Sequence, residues 1–432
     1  MSAITRDMNP ITSPIWFPYS LMKQKSPILH CTSAKGVHIT LENNQTLIDA
    51  MSSWWSTIHG YNHPILNQAA NEQLNKVSHI MLGGFYTTAS QKLADTLIQL
   101  TPKGLDKVFF SDSGSVGCEV AIKMALQYWY NLNKKNKTRL LTLEGGYHGD
   151  TIGCMALCDP NDGMHRAFGS QQRSKHLFLT PPKGGLNPKD SDLQKALSQA
   201  EHVIKSQHHS IAALMLEPIF QGASSMSFYS PVYLEKLCAL AKHYNILVIF
   251  DEVATGFGRL GTRFAFDQCR ITPDILVLGK GLSGGYLGLA ATLASHAIFE
   301  AFLPEDKDPF MHGPTFCGNP LACNIAQASI NLFESQHYLK KITKISKHLQ
   351  EAFRNFKHPL VRSCRTHGAI AIIEVKEPET LKDAQAYALK QGIWLRPFSK
   401  FLYTTPAYII KEQELQQITH TMKRYFKTLN TH

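Results

Sequence analysis

In the stretch "PDILVLGKGLSGG" (273–285), Lys280 ends an apolar run and sits between two glycines, although lysine is among the residues least often buried. An amine held partly out of water has its pKa drawn down towards neutrality, and it then attacks carbonyl compounds to form Schiff bases. Twenty-nine residues earlier, "NILVIFDEV" delivers Asp251 from the end of another apolar run. That interval is roughly one helical crossover plus a strand, so a parallel sheet would set the two side chains near each other. "FFSDSGS" closes on Gly114 and Ser115 at a helix start, where free backbone N–H groups and the helix dipole favour a phosphate. "EGGYHGDT" puts Tyr147 and His148 in a glycine turn, where an aromatic ring can stack on a planar ligand. Each feature alone has a plainer reading: a snorkelling surface lysine, a helix-capping or ion-paired aspartate, a serine N-cap with no ligand, a tyrosine closing the core. Taken together, the phosphate cradle, the stacking ring, the acid and the lysine match the needs of pyridoxal phosphate. A carboxylate beside the ring nitrogen keeps it protonated, and the ring then accepts the electron pair left when a proton leaves the substrate carbon.

These residues sit at the ends of short, almost wholly apolar runs that alternate with helical patterns from about residue 86 to 300. "KVFFSDSGS", "TRLLTLEGG", "IAALMLEPI", "NILVIFDEV" and "DILVLGKG" read as strands, with "VGCEVAIKMALQYWYNLN" and "SPVYLEKLCALAKHYN" as amphipathic helices among them. Strands of that kind predict an α/β domain with a mainly parallel sheet covered by helices on both faces. Function in such sheets gathers outside the carboxyl ends of the strands, where all four features fall. The C-terminal part changes character: "YLKKITKISKHLQEAFRNF" and "EQELQQITHTMKRYFKTL" read as helices, "GAIAIIEV" and "FLYTTPAYI" as strands. Together with the strand signals of "GVHITLENNQTLIDA" they predict a smaller α/β domain built from both termini. The expected division is 1–65 and 336–432 for the small domain and 66–335 for the large one.

A chain of 432 residues with 44% apolar and 18% charged residues has the composition of an ordinary globular protein of two domains. No run approaches the roughly 18 apolar residues of a membrane span. The N-terminal "MSAITRDMNPITSPIWFPYS" lacks the pattern of a secretory signal, so a cytoplasmic location is expected. Nine cysteines without a Cys-x-x-Cys pair read as reduced thiols, with no metal site. The net charge of +11 invites a nucleic-acid reading, but the basic residues are spread out and no nucleic-acid partner is expected. The densest run, "NLNKKNKTR" (131–139), reads as a solvated connection.

"LMLEPIFQGASSM", "VIFDEVATGFGRLGTRFAFDQCRITPDILVLGKGLSGGYLGLAATL" and "FMHGPTFCGNPLACNIAQASI" resemble the fold-type I, class III aminotransferases, over nearly the whole chain. The resemblance implies that Lys280 carries the cofactor, that Asp251 pairs with its pyridine nitrogen and that Tyr147 stacks on its ring. It implies that Gly114 and Ser115 hold the phosphate, joined by Pro314 and Thr315 from the other subunit of a homodimer with shared active sites. Tyr19, Trp54, Trp55, Gly313 and Tyr403 would line the substrate pocket, with Asp150 as a further pocket position. Arg396 in "GIWLRPFSK" would grip a substrate carboxylate, a task that suits its forked guanidinium. If Trp54 and Trp55 lie in extended chain, neighbours alternate sides and only one faces substrate.

Within the class, the resemblance carried by "SSWWSTIHGYNHP", "SDSGSVGCEVAIKMALQYW", "HGPTFCGNPLAC" and the extra residue before Gln in "EPIFQG" is to members for which it implies S-adenosylmethionine as amino donor. The same resemblance implies 8-amino-7-oxononanoate as acceptor, in a ping-pong transamination of biotin biosynthesis. A lysine or ω-amino acid donor is the alternative. Ser283 and Leu287-Gly288 depart from the family pattern just past the lysine and remove no catalytic group.

Overall fold

The computed structural model describes residues 13–20, 28–160, 165, 168 and 175–429; residues 1–12, on which the reading of the N-terminus rests, lie outside them. The chain divides into two compact units, Met1–Pro64 with Lys340–His432, and Ile65–Leu339.

In the larger unit seven strands form one sheet, in the order Leu105–Ser111, Ala290–Ser295, Ile275–Leu278, Leu247–Glu252, Ile211–Leu216, Arg139–Leu143, Leu177–Leu179. Every neighbouring pair from Ile275–Leu278 to Leu177–Leu179 is parallel. Ala290–Ser295 runs antiparallel to both of its neighbours. Ile211–Leu216, Leu247–Glu252 and Ile275–Leu278 are buried at every position. Alternate side chains of a strand point to opposite faces, so both faces of the sheet's centre are covered. Helices Gly114–Asn131 and Pro231–His243 supply part of that cover.

Two features of this unit differ from what the sequence suggested. The 22 residues between Glu252 and Ile275 are not a helical crossover: they run in turns, with one short 3-10 helix at Ala265–Gln268. Gly256, Gly258 and Gly261 fall in the first half of this connection, and Phe257, Gly258 and Gly261 take positive φ, which an α-helix cannot include. The basic run 131–139 is not wholly solvated either. Lys137 is buried, and its Nζ donates to the carbonyls of His208 (3.0 Å), Ile211 (2.8 Å) and Asn245 (2.8 Å) while lying 4.5 Å from the centre of the Trp129 ring. It ties three connections together where the carbonyls would otherwise face a dry edge.

In the smaller unit, "GVHITLENNQTLIDA" forms the hairpin His38–Leu41 and Thr46–Asp49, turning at Asn44 with φ 63°. Cys31–Lys35 and Ile393–Trp394 extend it to four strands. A second, antiparallel sheet holds Val361–His367, Ile370–Val375 and Phe401–Thr404. The amphipathic helix Glu412–Lys427 buries Leu415, Ile418, Met422 and Phe426 at the spacing of one helical face. Among the described residues, no helix is long and apolar enough to cross a membrane.

Replacing Lys137 by methionine keeps the stem over Trp129 and leaves carbonyls without a donor. K137M should lower unfolding free energy by about 2–4 kcal/mol, read from urea denaturation at neutral pH.

Candidate active site

Parallel pairing sets Asp251 beside Val277 and Glu252 beside Leu278, so Lys280 follows just beyond the end of the neighbouring strand. Three backbone positions crowd together there. A Cβ on Gly279 would lie 3.2 Å from Cγ1 of Val253 and 3.7 Å from Cα of Gly114, and a Cβ on Gly114 would lie 2.5 Å from that same Cγ1. Glycine at 114 lets the helix start approach the sheet edge to a distance no other residue allows. The helix Gly114–Asn131 is capped by Ser113, whose Oγ accepts from Val116 N (3.2 Å), leaving the N–H groups of its first residues for an anion.

Lys280 adopts φ 44° and opens the short 3-10 turn Lys280–Ser283, which Gly284 closes in the left-handed region. Burial holds its ammonium below the usual lysine range, against the opposing pull of Asp251 and Glu217. Ser283, a departure from the family pattern, donates through Oγ to Leu287 O (2.6 Å) and so ties the turn to the next residues.

Asp251 is almost fully enclosed. Its Oδ1 accepts from Val253 N (3.1 Å), and its Oδ2 lies 2.9 Å from Nδ1 of His148. An ionised carboxylate can only accept, so Nδ1 carries the proton in that pair. Burial works against a charged imidazole, but the hydrogen bond and charge of Asp251 outweigh it and hold His148 above its usual pKa. Glu217, also buried, accepts from Tyr147 N (2.9 Å) and Gly222 N (2.9 Å), and burial pushes its carboxyl up to about 7. Neither role is legible in single residues. His148 is marked only by its place beside Tyr147 in a glycine turn, and Glu217 only by ending an apolar strand.

Tyr147 sits on this anchored turn. Its OH donates to Asp150 Oδ1 (2.8 Å), its ring lies parallel to that of His165 at 5.8 Å, and Asp150 N donates to Ser115 Oγ (3.1 Å). Tyr147, Asp150 and Ser115 therefore form one connected group. Gly313, Pro314 and Thr315 lie in a segment fastened by Lys123, whose Nζ donates to Met311 O (2.9 Å), and Thr315 is exposed.

The smaller unit gathers the other candidates. The guanidinium of Arg396 lies over the Trp54 ring at 5.3 Å and donates from Nη2 to Tyr19 O (2.9 Å), and the Tyr19 and Trp54 rings meet edge to face at 6.0 Å. Trp55 turns inward against Tyr403, ring centres 6.4 Å apart, and burial pushes the Tyr403 phenol up to about 12. The tryptophans are not in extended chain. Ser52, Ser53, Trp54 and Trp55 all have positive φ, 41°, 45°, 54° and 77°, so the pair lies on a left-handed turn with Trp54 exposed and Trp55 buried.

The class III aminotransferase family model matches residues 20–426 of this chain. The chain belongs to that family. It is 43% identical, over 95% of its length and 94% of the relative's, to the adenosylmethionine-8-amino-7-oxononanoate aminotransferase of Buchnera aphidicola from Schizaphis graminum. The crystal structure of adenosylmethionine-8-amino-7-oxononanoate aminotransferase from Methanocaldococcus jannaschii superposes with a TM-score of 0.89 at 31% identity, covering 97% of this chain and 98% of that one. An ω-transaminase of Pseudomonas jessenii in complex with PMP superposes with a TM-score of 0.88 at 26% identity, covering 96% of each chain. As a class III aminotransferase the chain is an enzyme of fold-type I, and its cofactor is pyridoxal phosphate. The larger unit fits that group. It offers a desolvated amine, a carboxylate with an imidazole behind it, and a helix start stripped to glycine where a Cβ would fill the approach.

Two outcomes follow. G114A forces its methyl against Val253 and should cost about 1–3 kcal/mol of stability along with cofactor affinity, and the added V253A should restore most of both, measured by cofactor titration and thermal melting. For His148, a raised folded pKa means that its contribution is complete below its ordinary value of 6.5 and is lost as pH rises through the folded value. Melting temperature relative to H148Q should therefore decline as pH is raised above about 6.5.

Proposed function

We propose that the enzyme transfers the amino group of S-adenosylmethionine to the ketone of 8-amino-7-oxononanoate, giving 7,8-diaminononanoate and the keto acid of the donor, as a step of biotin biosynthesis. The observation that carries the catalytic part is the half-buried Lys280, its amine desolvated, standing just past the strand beside Asp251 at the carboxyl end of the sheet's central strands. The donor and acceptor are those in the names of the relatives, 43% and 31% identical.

Bound pyridoxal phosphate supplies a carbonyl carbon for an incoming amine and a ring that takes up the electron pair left on the substrate carbon. Lys280 anchors the cofactor at rest, and once freed its Nζ takes the proton from the donor α-carbon; burial favours the neutral amine this needs. Asp251 keeps a proton on the ring nitrogen, with His148 held behind it at 2.9 Å. The free N–H groups at Gly114 and Ser115 hold the phosphate, and Tyr147, fixed through Glu217 and Asp150, stacks on the ring. Arg396 takes the substrate carboxylate through its fork. Trp54, Trp55, Tyr19 and Tyr403 offer aromatic faces for a sulfonium cation and apolar surface for an aliphatic chain.

The working form is a cytoplasmic homodimer in which Gly313 lines the substrate pocket and the partner subunit's Pro314 and Thr315 complete the phosphate site. Support comes from the large exposed side chains of Met81, Phe85, Met311 and Phe316 in the unit that carries this segment, an apolar surface typical of a docking face.

The absorption spectrum of the purified holoenzyme tests the reading. The visible cofactor band should collapse on adding S-adenosylmethionine and persist with lysine, and K280A should lose both the band's usual form and at least about 10³-fold in rate. Collapse with lysine alone would move the enzyme to another donor, and a protein that takes up no pyridoxal phosphate would overturn the reading.

A further inference from the structure

The left-handed turn that carries the double tryptophan needs a cause. Four consecutive residues with a Cβ, Ser52 to Trp55, have positive φ, each in a conformation that L-residues disfavour. Such runs persist only where surrounding contacts over-determine them. Here the contacts come from two sides. On one, Asp49, 2% exposed, accepts from Met51 N (2.7 Å) on Oδ1 and from Ser53 N (3.0 Å) and Tyr61 OH (2.6 Å) on Oδ2. Because the Tyr61 hydroxyl spends its proton on Asp49, Ser53 Oγ donates to Tyr61 across 2.7 Å. On the other, Ser52 Oγ donates to Thr405 O (2.7 Å), Thr405 Oγ1 to Met51 O (3.1 Å) and Thr404 Oγ1 to Ala50 O (2.7 Å). Within the turn, Trp55 N and Ser56 N donate to Met51 O and Ser52 O at 3.0 and 2.8 Å.

The second side is built of neutral bonds between hydroxyls and carbonyls. The first centres on a single carboxylate, which binds the amides of Met51, at the start of the turn, and Ser53, within it. Charge-assisted bonds of this kind are the stronger ones. Among the described residues no cation pairs with Asp49, and an acid kept this far from water is costly unless its hydrogen bonds are retained.

We infer that Asp49, with Tyr61, is the positioning residue of the substrate-holding surface: it winds Ser52–Trp55 to the left and so sends Trp54 towards Arg396 and Trp55 towards Tyr403. The inference rests on the proposed reading of those four side chains as holding substrate. It assigns Asp49 no part in proton transfer. Uncoiling the turn would carry Trp54 off the Arg396 guanidinium, disturbing the carboxylate clamp and the aromatic wall together.

The test uses the holoenzyme variants D49N and Y61F, with D49N/S53G as rescue. D49N should raise KM for both substrates about ten-fold or more and Y61F several-fold, with kcat held within about three-fold, because uniform binding is lost and not transition-state contacts. The cofactor absorption band should be unchanged. Amide hydrogen exchange of the segment 50–57 should quicken at least about ten-fold in D49N without substrate present. Glycine accepts positive φ freely, so S53G should return part of the lost exchange protection and KM. If D49N does not fold, Y61F carries the test. A folded D49N or Y61F with unaltered exchange and KM overturns the inference, as does a fall in kcat that matches the rise in KM. If the wild-type enzyme rejects S-adenosylmethionine, the proposed function fails by itself; the exchange measurement and KM for the donor it does accept still decide the role of Asp49.

Discussion

Keeping an amine partly desolvated beside an acid is the constraint on which the rest of the larger unit depends. A buried lysine next to a lone aspartate would become a salt bridge, and the acid would hold the proton on the amine. Desolvation prevails at Lys280 over the pull of Asp251 and Glu217, and Asp251 is engaged by His148 Nδ1 at Oδ2 and by Val253 N at Oδ1. The position of His148 depends on the glycine turn 145–149, which Glu217 clasps through Tyr147 N. Hydrogen bonds and the backbone of this turn therefore link Glu217, just past the strand ending at Leu216, to Asp251 on the adjoining strand.

The strand-end logic made much of this legible. Short apolar runs predicted the parallel core, and their last residues include both Asp251 and Lys280. What escaped was of three kinds. Ala290–Ser295 is a strand of small residues whose direction is reversed, and a run of alanines carries no sign of direction. The connection after Glu252 has the length of a helical crossover but takes its shape from glycines, so spacing gave the right neighbourhood for the wrong reason. Lys137 looked solvated because the three carbonyls that bury it lie 71 to 108 residues away in sequence.

The left-handed turn is a sharper case of the same limit. Positive φ is read from sequence through glycine, and Ser-Ser-Trp-Trp contains none. Its conformation is imposed by Asp49, Tyr61 and Thr405, a set that no local propensity predicts. The superposition on an ω-transaminase at 26% identity carries the matching lesson about chemistry: one backbone serves enzymes of different names, so discrimination among amines lies in side chains that the fold leaves free to vary.

The bond from Ser52 to Thr405 spans 353 residues, and that separation sets an order of events during synthesis. The N-terminal hairpin and the two tryptophans leave the ribosome early, while the strand Phe401–Thr404 that locks them arrives almost last. At roughly 5–20 residues per second, the interval is on the order of tens of seconds. Throughout it Trp54 and Trp55 wait on a nascent chain while the whole larger unit, Ile65–Leu339, is made. The interval is therefore a window in which chaperones, and not the native contacts, must keep this aromatic pair from associating with other chains.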